Sequence, residues 1–295
     1  MNSNSKRPKR LIIYDKEGQL CNRFWSYLFP IAWAIKNQKK VYILFWDPQI
    51  RYFHQLRHNG IISFPLHNWL WNFKVGKNYP WQNIIKHIYH SPRFFHFVES
   101  EKGRMMGFFK GWGSCSPEYM RPLWNDNSLM EQIHRFYKPN DDIEQNVESH
   151  FSEEFNRTTE IIVGVHIRRG DYKDWCDGKY FYSDDVYVRL MRHLQKLFDK
   201  KVRFFCATNE PLSTVIKEEF SPLIIPGATA AHDLYGLSLC DYLIGPPSTF
   251  SQWASFYGRV PLYIIERPEK LPQENDFSCI YALDHFLNGY TLHIQ

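Results

Sequence analysis

The feature that most constrains the fold is a regular alternation of apolar runs and amphipathic stretches in the second half of the chain. Strands are predicted at five short apolar runs, at 161–167, 202–206, 223–225, 242–244 and 261–265. Helices are predicted between them, at 184–198, 210–220, 230–240 and 248–257. This alternation is typical of a parallel sheet covered by helices on both faces. Ligands of such sheets bind at the carboxyl ends of the strands.

The first half of the chain begins with a similar unit. A strand, a helix and a second strand are predicted at 11–14, 22–37 and 41–46. The stretch 48–137 is rich in aromatic residues and histidine and shows no clear period, apart from a helical patch at 81–89. The polar, acidic stretch 138–159 predicts a linker or a surface helix at a domain boundary. We therefore expect two α/β domains, at 1–155 and 156–295.

Composition narrows the class of protein. The chain is 44% hydrophobic and 23% charged, which is ordinary for a folded globular protein. Part of the net charge of +5 lies in a basic run at 6–10, which favours a solvated tail over a nucleic-acid-binding arm. The sequence has no apolar stretch long enough for a signal peptide or a membrane span. Its six cysteines form no C-x-x-C pair. A reducing cytoplasm is the simplest expectation.

The strongest signal of a functional site is the sequence His-Ile-Arg-Arg-Gly-Asp at 166–171, where the predicted strand 161–167 ends. Two adjacent arginines that leave a buried strand require an anionic partner, because an unpaired buried charge is costly. The planar fork of donors of arginine suits phosphate oxygens. Gly170 permits a tight turn, and Asp171 is placed to orient an arginine or to act on a substrate hydroxyl. The alternative interpretation is a surface turn with an internal Arg–Asp ion pair.

Two further segments each join a predicted strand to a predicted helix. The sequence Gly-Pro-Pro-Ser-Thr-Phe-Ser at 245–251 places a helix N-terminus at the ligand edge, where free N–H groups and the helix dipole attract anions. A simple N-terminal cap is the alternative there. Gly18 to Arg23 joins the first strand to the first helix, and Asn22 is either a cap or a ligand-facing side chain.

Several common catalytic motifs are absent from the sequence. It contains no P-loop, no dinucleotide-binding glycine fingerprint, no zinc-protease helix motif and no nucleophile elbow. It also lacks the Asp-x-Asp pattern of metal-dependent nucleotide-sugar enzymes, and its 13 histidines show no ligand spacing. We therefore expect no metal site.

The three segments resemble the motifs of a superfamily of fucosyltransferases. The sequence at 166–171 is similar to the His-x-Arg-Arg-x-Asp motif of α-1,2- and α-1,6-fucosyltransferases and their protein O-fucosyltransferase and rhizobial relatives. The segments 18–23 and 233–251 resemble the N-terminal segment and the C-terminal donor motif of that superfamily, in the same order. The resemblance implies a GT-B-like α/β fold, with two Rossmann-type domains whose parallel sheets face each other across a cleft. It also implies a metal-independent enzyme that moves fucose from GDP-fucose to a glycan hydroxyl in an α-1,2 linkage, with no cofactor beyond this donor substrate.

The resemblance further assigns roles to residues, with the acceptor on the N-terminal domain and the donor nucleotide on the C-terminal one. Arg168 is expected to contact the β-phosphate and, with Asp171, to be catalytic. The expected donor-binding residues are Asn22, His166, Arg168, Arg169, Asp233, Ser248, Thr249, Phe250 and Ser251. Positions 208–209 and 232–233 are expected near the nucleotide base.

The expected chemistry follows from charge. Departure of GDP leaves negative charge on its phosphate, and fixed donors from Arg168 and the helix at Ser248 would stabilise that charge. A carboxylate would deprotonate the acceptor hydroxyl, and Asp171, Asp174 and Glu17 all remain candidates for this role. The expected acceptor is an oligosaccharide or a lipid-linked glycan, met in the cytoplasm or at the inner membrane surface. A non-catalytic protein that binds nucleotide sugars or glycans on the same fold is the alternative, and a nucleic-acid partner is not expected.

Overall fold

The structure, a computed structural model, describes residues 9–15, 18–65, 87–88, 90–283 and 292–294. The chain divides into two compact units, Met1–Lys138 and Pro139–Gln295. Each unit contains a parallel β-sheet flanked by helices, so the prediction of two α/β units is confirmed. The division falls at the start of the polar stretch 138–159, and a helix at Asp141–Glu154 belongs to the second unit. Its Phe151 ring packs 5.1 Å from the ring of Phe205, in the sheet of that unit.

The described part of the first unit contains a four-stranded parallel sheet. Its strands are β1 (Arg10–Ile13), β2 (Lys40–Ile43), β3 (Ile62–Ser63) and β4 (Phe108–Phe109). Their order in the sheet is β3-β2-β1-β4. The chain therefore runs outward from β1 through β2 to β3 and returns to the opposite side of β1 with β4. The strand order reverses between β1 and β4, and such a reversal opens a crevice at the carboxyl ends of the strands.

Helices and aromatic side chains fill the space around this sheet. The helices that lie wholly within the described residues are α1 (Leu20–Asn37), α2 (His54–Arg57), α3 (Pro92–Glu99), α4 (Glu101–Met105), α5 (Pro117–Trp124) and α6 (Asn127–Tyr137). The Phe24 ring of α1 lies edge-on to the rings of Phe53 and Tyr137, at 4.8 and 4.9 Å. Aromatic residues from the stretch without a clear sequence period therefore supply core volume. The helical patch predicted at 81–89 lies largely outside the described residues.

The second unit contains a second four-stranded parallel sheet. Its strands are β5 (Glu160–Ile167), β6 (Lys201–Thr208), β7 (Tyr242–Gly245) and β8 (Leu262–Ile264), in the order β6-β5-β7-β8. These are four of the five predicted strands. The fifth prediction, at 223–225, is wrong, because only Leu223 forms an isolated parallel bridge, to Phe205. Pro222 and Pro226 flank this run, and proline has no N–H to extend a hydrogen-bonded ladder.

The polar stretch 138–159, predicted as a linker or a surface helix, forms the helix α7 (Asp141–Glu154). The four helices predicted between the strands are confirmed as α8 (Asp184–Leu197), α9 (Thr214–Phe220), α10 (Ala230–Ser238) and α11 (Thr249–Gly258). Helix α9 begins later than the predicted residue 210, since Pro211 disfavours helical geometry at the residue before it. Buried Leu190, Met191 and Leu194 of α8 join the apolar cluster on one face of the sheet. A pair of antiparallel strands, β9 (Ile280–Leu283) and β10 (Leu292–Ile294), follows.

The second sheet has the same reversal of strand order as the first. The chain leaves β5 for β6 on one side and then returns to β7 on the other, so the crevice lies between the carboxyl ends of β5 and β7. The six cysteines, all of them in the described residues, are free thiols. Within the described ranges, no helix is both long enough and apolar enough to cross a membrane.

Candidate functional site

The two strongest sequence signals meet at the reversal point of the second sheet. Arg168 follows the last residue of β5, and the loop 246–248 connects β7 to α11. β5 and β7 are hydrogen-bonded neighbours, with Val165 opposite Ile244. The Tyr172 hydroxyl donates a 2.6 Å hydrogen bond to the Pro247 carbonyl oxygen, which joins the turn after β5 to the loop before α11.

Arg168 lies at this edge and pairs with Asp171. The Arg168 Nη2 atom is 2.8 Å from Asp171 Oδ1, and the guanidinium lies 5.6 Å from the centre of the Tyr172 ring. The side chains of Arg168 and Asp171 are 21% and 53% exposed, so the guanidinium is partly shielded and the carboxylate is open to water. The ion pair that the sequence left open as an alternative is therefore present. It holds the guanidinium at the edge where the strands end.

Arg169 points to a different part of the unit. Its guanidinium donates to the Tyr182 carbonyl oxygen and to the Asp184 carboxylate, and it lies 5.3 Å from the centre of the Phe181 ring. These contacts attach it to the segment that leads into α8. The predicted donor-binding role of Arg169 stays a prediction, and the contacts of its side chain here are structural.

The loop after β6 supports the turn that carries both arginines. Asn209 Oδ1 accepts a 2.8 Å hydrogen bond from the Arg169 N–H, and Glu210 Oε1 accepts a 3.1 Å bond from the Gly170 N–H. Gly170 has a φ of +60°, and a Cβ added there would lie 2.9 Å from Asn209 Nδ2. Glycine is therefore required by backbone conformation and by space. The sequence did not single out Glu210, because its partner lies forty residues away on another strand end.

The N-terminus of α11 is both capped and buried at this edge. Ser248 is the N-cap, and its Oγ accepts a 3.2 Å hydrogen bond from the Phe250 N–H. The Ser251 hydroxyl donates to the Ser248 carbonyl oxygen at 3.2 Å. Ser248, Thr249 and Ser251 are all buried. The capping interpretation is thus observed, and the same arrangement brings the positive end of the helix dipole close to the turn that carries Arg168.

His166 packs between β5 and α11 without carrying charge. Its side chain is 4% exposed, and its ring lies 5.0 Å from the ring of Phe250. Burial, with a smaller effect from Arg168, lowers the pKa of His166 to about 3, so the imidazole is neutral near pH 7. A Cβ added at Gly245 would lie 3.0 Å from the His166 Cβ, so the two strands leave little room there. The arrangement indicates that His166 supports the site rather than transferring a proton.

A cavity of about 340 Å³ lies at the carboxyl end of β6. It is lined by Cys206, Thr208, Glu210, Pro211, Leu212, Lys217, Ile224, Ile225, Gly227, Ala228 and Asp233. Burial raises the pKa of Asp233, on α10, to about 7, and no described residue gives its carboxylate a hydrogen bond. His232 is engaged elsewhere, since its Nδ1 accepts a 3.2 Å hydrogen bond from the Thr229 N–H in a capping box. Two carboxylates line this cavity: Glu210 accepts the hydrogen bond from Gly170, and Asp233 is the one without a hydrogen bond from a described residue.

Asn22 lies in the first unit, in the first turn of α1. Gly18 precedes this turn with a φ of +79°, and a Cβ added there would lie 2.0 Å from Asn22 Nδ2. The predicted role of Asn22 at the donor stays a prediction, and Glu17 lies outside the described residues. In the part of the chain that the structure describes, no three His, Cys, Asp or Glu side chains form a group suited to a metal ion.

Both the sequence and the fold are similar to those of known proteins. The sequence model of glycosyl transferase family 11 matches residues 61–276. The fucosyltransferase NodZ from Bradyrhizobium is 19% identical, with a TM-score of 0.52 over 90% of this chain and 98% of its own. NodZ α-1,6-fucosyltransferase co-crystallised with GDP is 18% identical, with a TM-score of 0.52 over 90% and 98%. FUT1 from Arabidopsis thaliana in complex with GDP is 12% identical, with a TM-score of 0.54 over 95% and 75%. A search of curated proteins gave no match. At these identities the solved structures establish a common fold.

Proposed function

Because the chain belongs to glycosyltransferase family 11, in the fucosyltransferase superfamily, we propose that it transfers fucose from GDP-fucose to a glycan hydroxyl in an α-1,2 linkage. The observation that carries this proposal is the placement of Arg168 and the N-terminus of α11 together, where the order of the second sheet reverses. Structures of the same fold that contain GDP support GDP as the leaving group. The linkage rests on the resemblance of the arginine motif.

The donor phosphate fits the edge between β5 and β7. Arg168 is a permanent cation with a planar set of donors, and the start of α11 adds the positive end of a helix dipole. As the bond between fucose C1 and the phosphate oxygen breaks, the electron pair stays on GDP. Donors that are already in place stabilise that charge without reorganising, and this lowers the barrier without requiring a metal. The Asp171 carboxylate holds the Arg168 guanidinium in position for this task.

The guanine base fits the cavity that contains Asp233. Guanine presents an N1–H and an N2 amino group side by side, and an ionised carboxylate accepts both hydrogen bonds. Adenine, uracil and cytosine do not present this pair of donors. Binding would give hydrogen-bond partners to the half-buried Asp233 carboxylate, which the described residues leave without one. The cavity and the arginine turn share Glu210, so base and phosphate positions are contiguous.

The acceptor hydroxyl attacks C1, a new C–O bond forms, and the hydroxyl proton passes to a carboxylate. Among the described residues, Asp171 and Asp174 are the candidates on the arginine turn. Asp171 is already engaged by the Arg168 guanidinium at 2.8 Å, whereas the ion pairs of the described residues include none for Asp174.

One experiment tests the activity. The purified protein is incubated with GDP-fucose and a panel of glycans, and products are detected by the mass of an added fucose and then by linkage analysis. The proposal expects an α-1,2-fucosylated product and release of GDP. Nucleotide stabilisation without any transfer would instead support a non-catalytic binding protein. A larger rise in melting temperature with UDP than with GDP would overturn the choice of donor.

A further inference from the structure

The strand order of the first sheet also reverses, between β1 and β4. The chain leaves β1 at Ile13, and Asp15 follows two residues later. The chain leaves β4 at Phe109 and forms a 3-10 turn at Gly111–Ser114. Since β1 and β4 are parallel, Asp15 and this turn meet at the carboxyl edge of the sheet. This is the position at which open α/β sheets bind ligands.

Asp15 links the two strand ends with its carboxylate. Oδ2 accepts a 2.6 Å hydrogen bond from the Gly111 N–H, and Oδ1 accepts a 3.1 Å bond from the Trp112 N–H. Asp15 is 4% exposed, and burial raises its pKa, while the two N–H donors and Arg23 act in the opposite direction. Both carboxylate oxygens are therefore used to set the position of one short turn.

The turn is also pressed against the first half of α1. A Cβ added at Gly111 would lie 1.9 Å from the Ser26 carbonyl oxygen, so only glycine fits. The Cys115 thiol donates to the Trp25 carbonyl oxygen at 3.3 Å, directly after the turn. Arg23, which is 5% exposed, donates to the Asp15 carbonyl oxygen. Arg23 thus holds the backbone of Asp15, and the carboxylate of Asp15 holds the turn.

Burying the charged side chains of Asp15 and Arg23 to hold a turn costs desolvation free energy. Removing Asp and Arg from water costs free energy that their attraction only partly returns, and apolar residues of similar volume often give equal stability. The Nε of Arg23 has no hydrogen-bond partner in the described ranges, so this burial is not fully compensated. The pair therefore indicates a requirement for the geometry of the turn beyond stability alone.

We propose that Gly111–Ser114 forms the binding site for the acceptor saccharide, that Trp112 packs against the sugar ring, and that Asp15 is the positioning residue. An indole offers a large flat apolar face, which matches the C–H face of a pyranose. Trp112 is half-buried, so part of its side chain reaches the surface at the sheet edge. This inference rests on the proposed fucosyl transfer and adds the location of the acceptor.

The test compares Asp15→Asn, Trp112→Ala and Trp112→Phe with the wild type in steady-state kinetics. Asp15→Asn keeps the shape of the side chain but leaves one acceptor oxygen for two N–H donors. We expect the acceptor KM to rise about tenfold in Asp15→Asn and in Trp112→Ala, and Trp112→Phe to recover most of it. Donor KM, the melting-temperature rise with GDP, and hydrolysis of GDP-fucose without acceptor should remain at wild-type values.

Asp126→Ala is the matched control. Asp126 is in the same unit and also accepts a backbone hydrogen bond, from the Leu129 N–H at 3.1 Å, but it caps α6. The Asp126→Ala substitution should lower the melting temperature without changing the acceptor KM. An unchanged acceptor KM in Trp112→Ala and Asp15→Asn, with transfer intact, would overturn the acceptor site and leave the proposed function standing. A wild type that transfers no fucose would overturn the proposed function. In that case the site is tested by binding to a glycan array. Weaker binding by Trp112→Ala than by the wild type would support the site, and equal binding would reject it.

Discussion

The Tyr172 hydroxyl is hydrogen-bonded to the Pro247 carbonyl oxygen at 2.6 Å, and this contact joins the arginine turn to the loop that begins α11. Burial raises the pKa of Tyr172 to about 12, so the hydroxyl stays protonated and remains a donor at physiological pH. The Tyr172 ring also lies under the Arg168 guanidinium. One side chain therefore sets the distance between the two groups proposed to bind the donor phosphate.

Replacing Tyr172 with phenylalanine should weaken this link while keeping the ring. The lost hydrogen bond is worth about 1 kcal/mol, so the melting temperature should fall by a few degrees. The stabilisation by GDP should fall as well, because the helix start and the arginine turn are no longer held together. Tyr182→Phe, which removes a hydroxyl bonded to the Ile265 carbonyl oxygen, is the control and should change stability alone. Equal GDP stabilisation in wild type and Tyr172→Phe would contradict the linking role.

Replacing Arg168 with alanine should reduce kcat by on the order of a hundredfold or more, because its interaction strengthens as the phosphate gains charge. Arg168→Lys should recover little, since a point charge does not reproduce the planar fork. The melting temperature should change little, because a partly exposed ion pair such as Arg168–Asp171 contributes about 1 kcal/mol at most. Arg192→Ala removes another surface ion pair, with Glu219, and should leave kcat unchanged. A folded Arg168→Ala with near-normal turnover would exclude the catalytic role.

Asp233 should make stability and nucleotide binding depend on pH in opposite directions. Its pKa is about 7 in the folded chain and near 3.8 in the unfolded one, so the folded state binds the proton more tightly. The contribution of Asp233 to the free energy of unfolding is therefore present in full below pH ~4 and is lost as the pH rises through about 7. GDP binding should strengthen over the same rise, because the ionised carboxylate accepts the hydrogen bonds of guanine.

Asp233→Asn tests this pair of effects with melting curves at pH 5.5 and 8, with and without GDP. The variant should be more stable than the wild type at pH 8, and its smaller GDP shift should no longer depend on pH. Asp185→Asn, on the exposed first turn of α8, is the control for removal of one negative charge. A GDP shift in Asp233→Asn equal to that of the wild type at pH 8 would place the base elsewhere.

Transfer should not require a divalent metal. The proposed stabilisation of the charge on GDP comes from Arg168 and the start of α11, both of which belong to the protein itself. Rates measured with EDTA should equal those measured with added Mg²⁺ or Mn²⁺. Loss of activity in EDTA with rescue by Mn²⁺ would show that the charge on GDP is met by a cation instead.

Local sequence pattern was sufficient to place most elements of the second unit and the edge of its sheet that carries the site. A short apolar run indicates a buried strand, and apolar residues spaced three or four apart indicate an amphipathic helix. Both patterns can be recognised within a short stretch of sequence. Since parallel strands end at one edge, the arginine motif and the Ser248 segment could be assigned to that edge before their positions were known. The strand predicted at 223–225 does not form, because the prolines on both sides limit its hydrogen bonds to a neighbouring strand. A hydrophobic pattern alone does not show this constraint.

The tertiary structure alone decided which of these groups touch. The sequence left open an ion pair between Asp171 and one of the two arginines, and the structure shows that Arg168 forms it. Arg169 binds Tyr182 and Asp184 instead, which no motif indicated. Nor did any motif reveal the contact between Asp15 and Gly111, since 96 residues separate the two. Such contacts join residues that are far apart in the sequence. They depend on the strand order and on the packing of the whole unit, which no local sequence pattern encodes. The sequence by itself determined which residues could form the proposed phosphate site and at which edge of the sheet, and the fold determined which side chains lie at that edge.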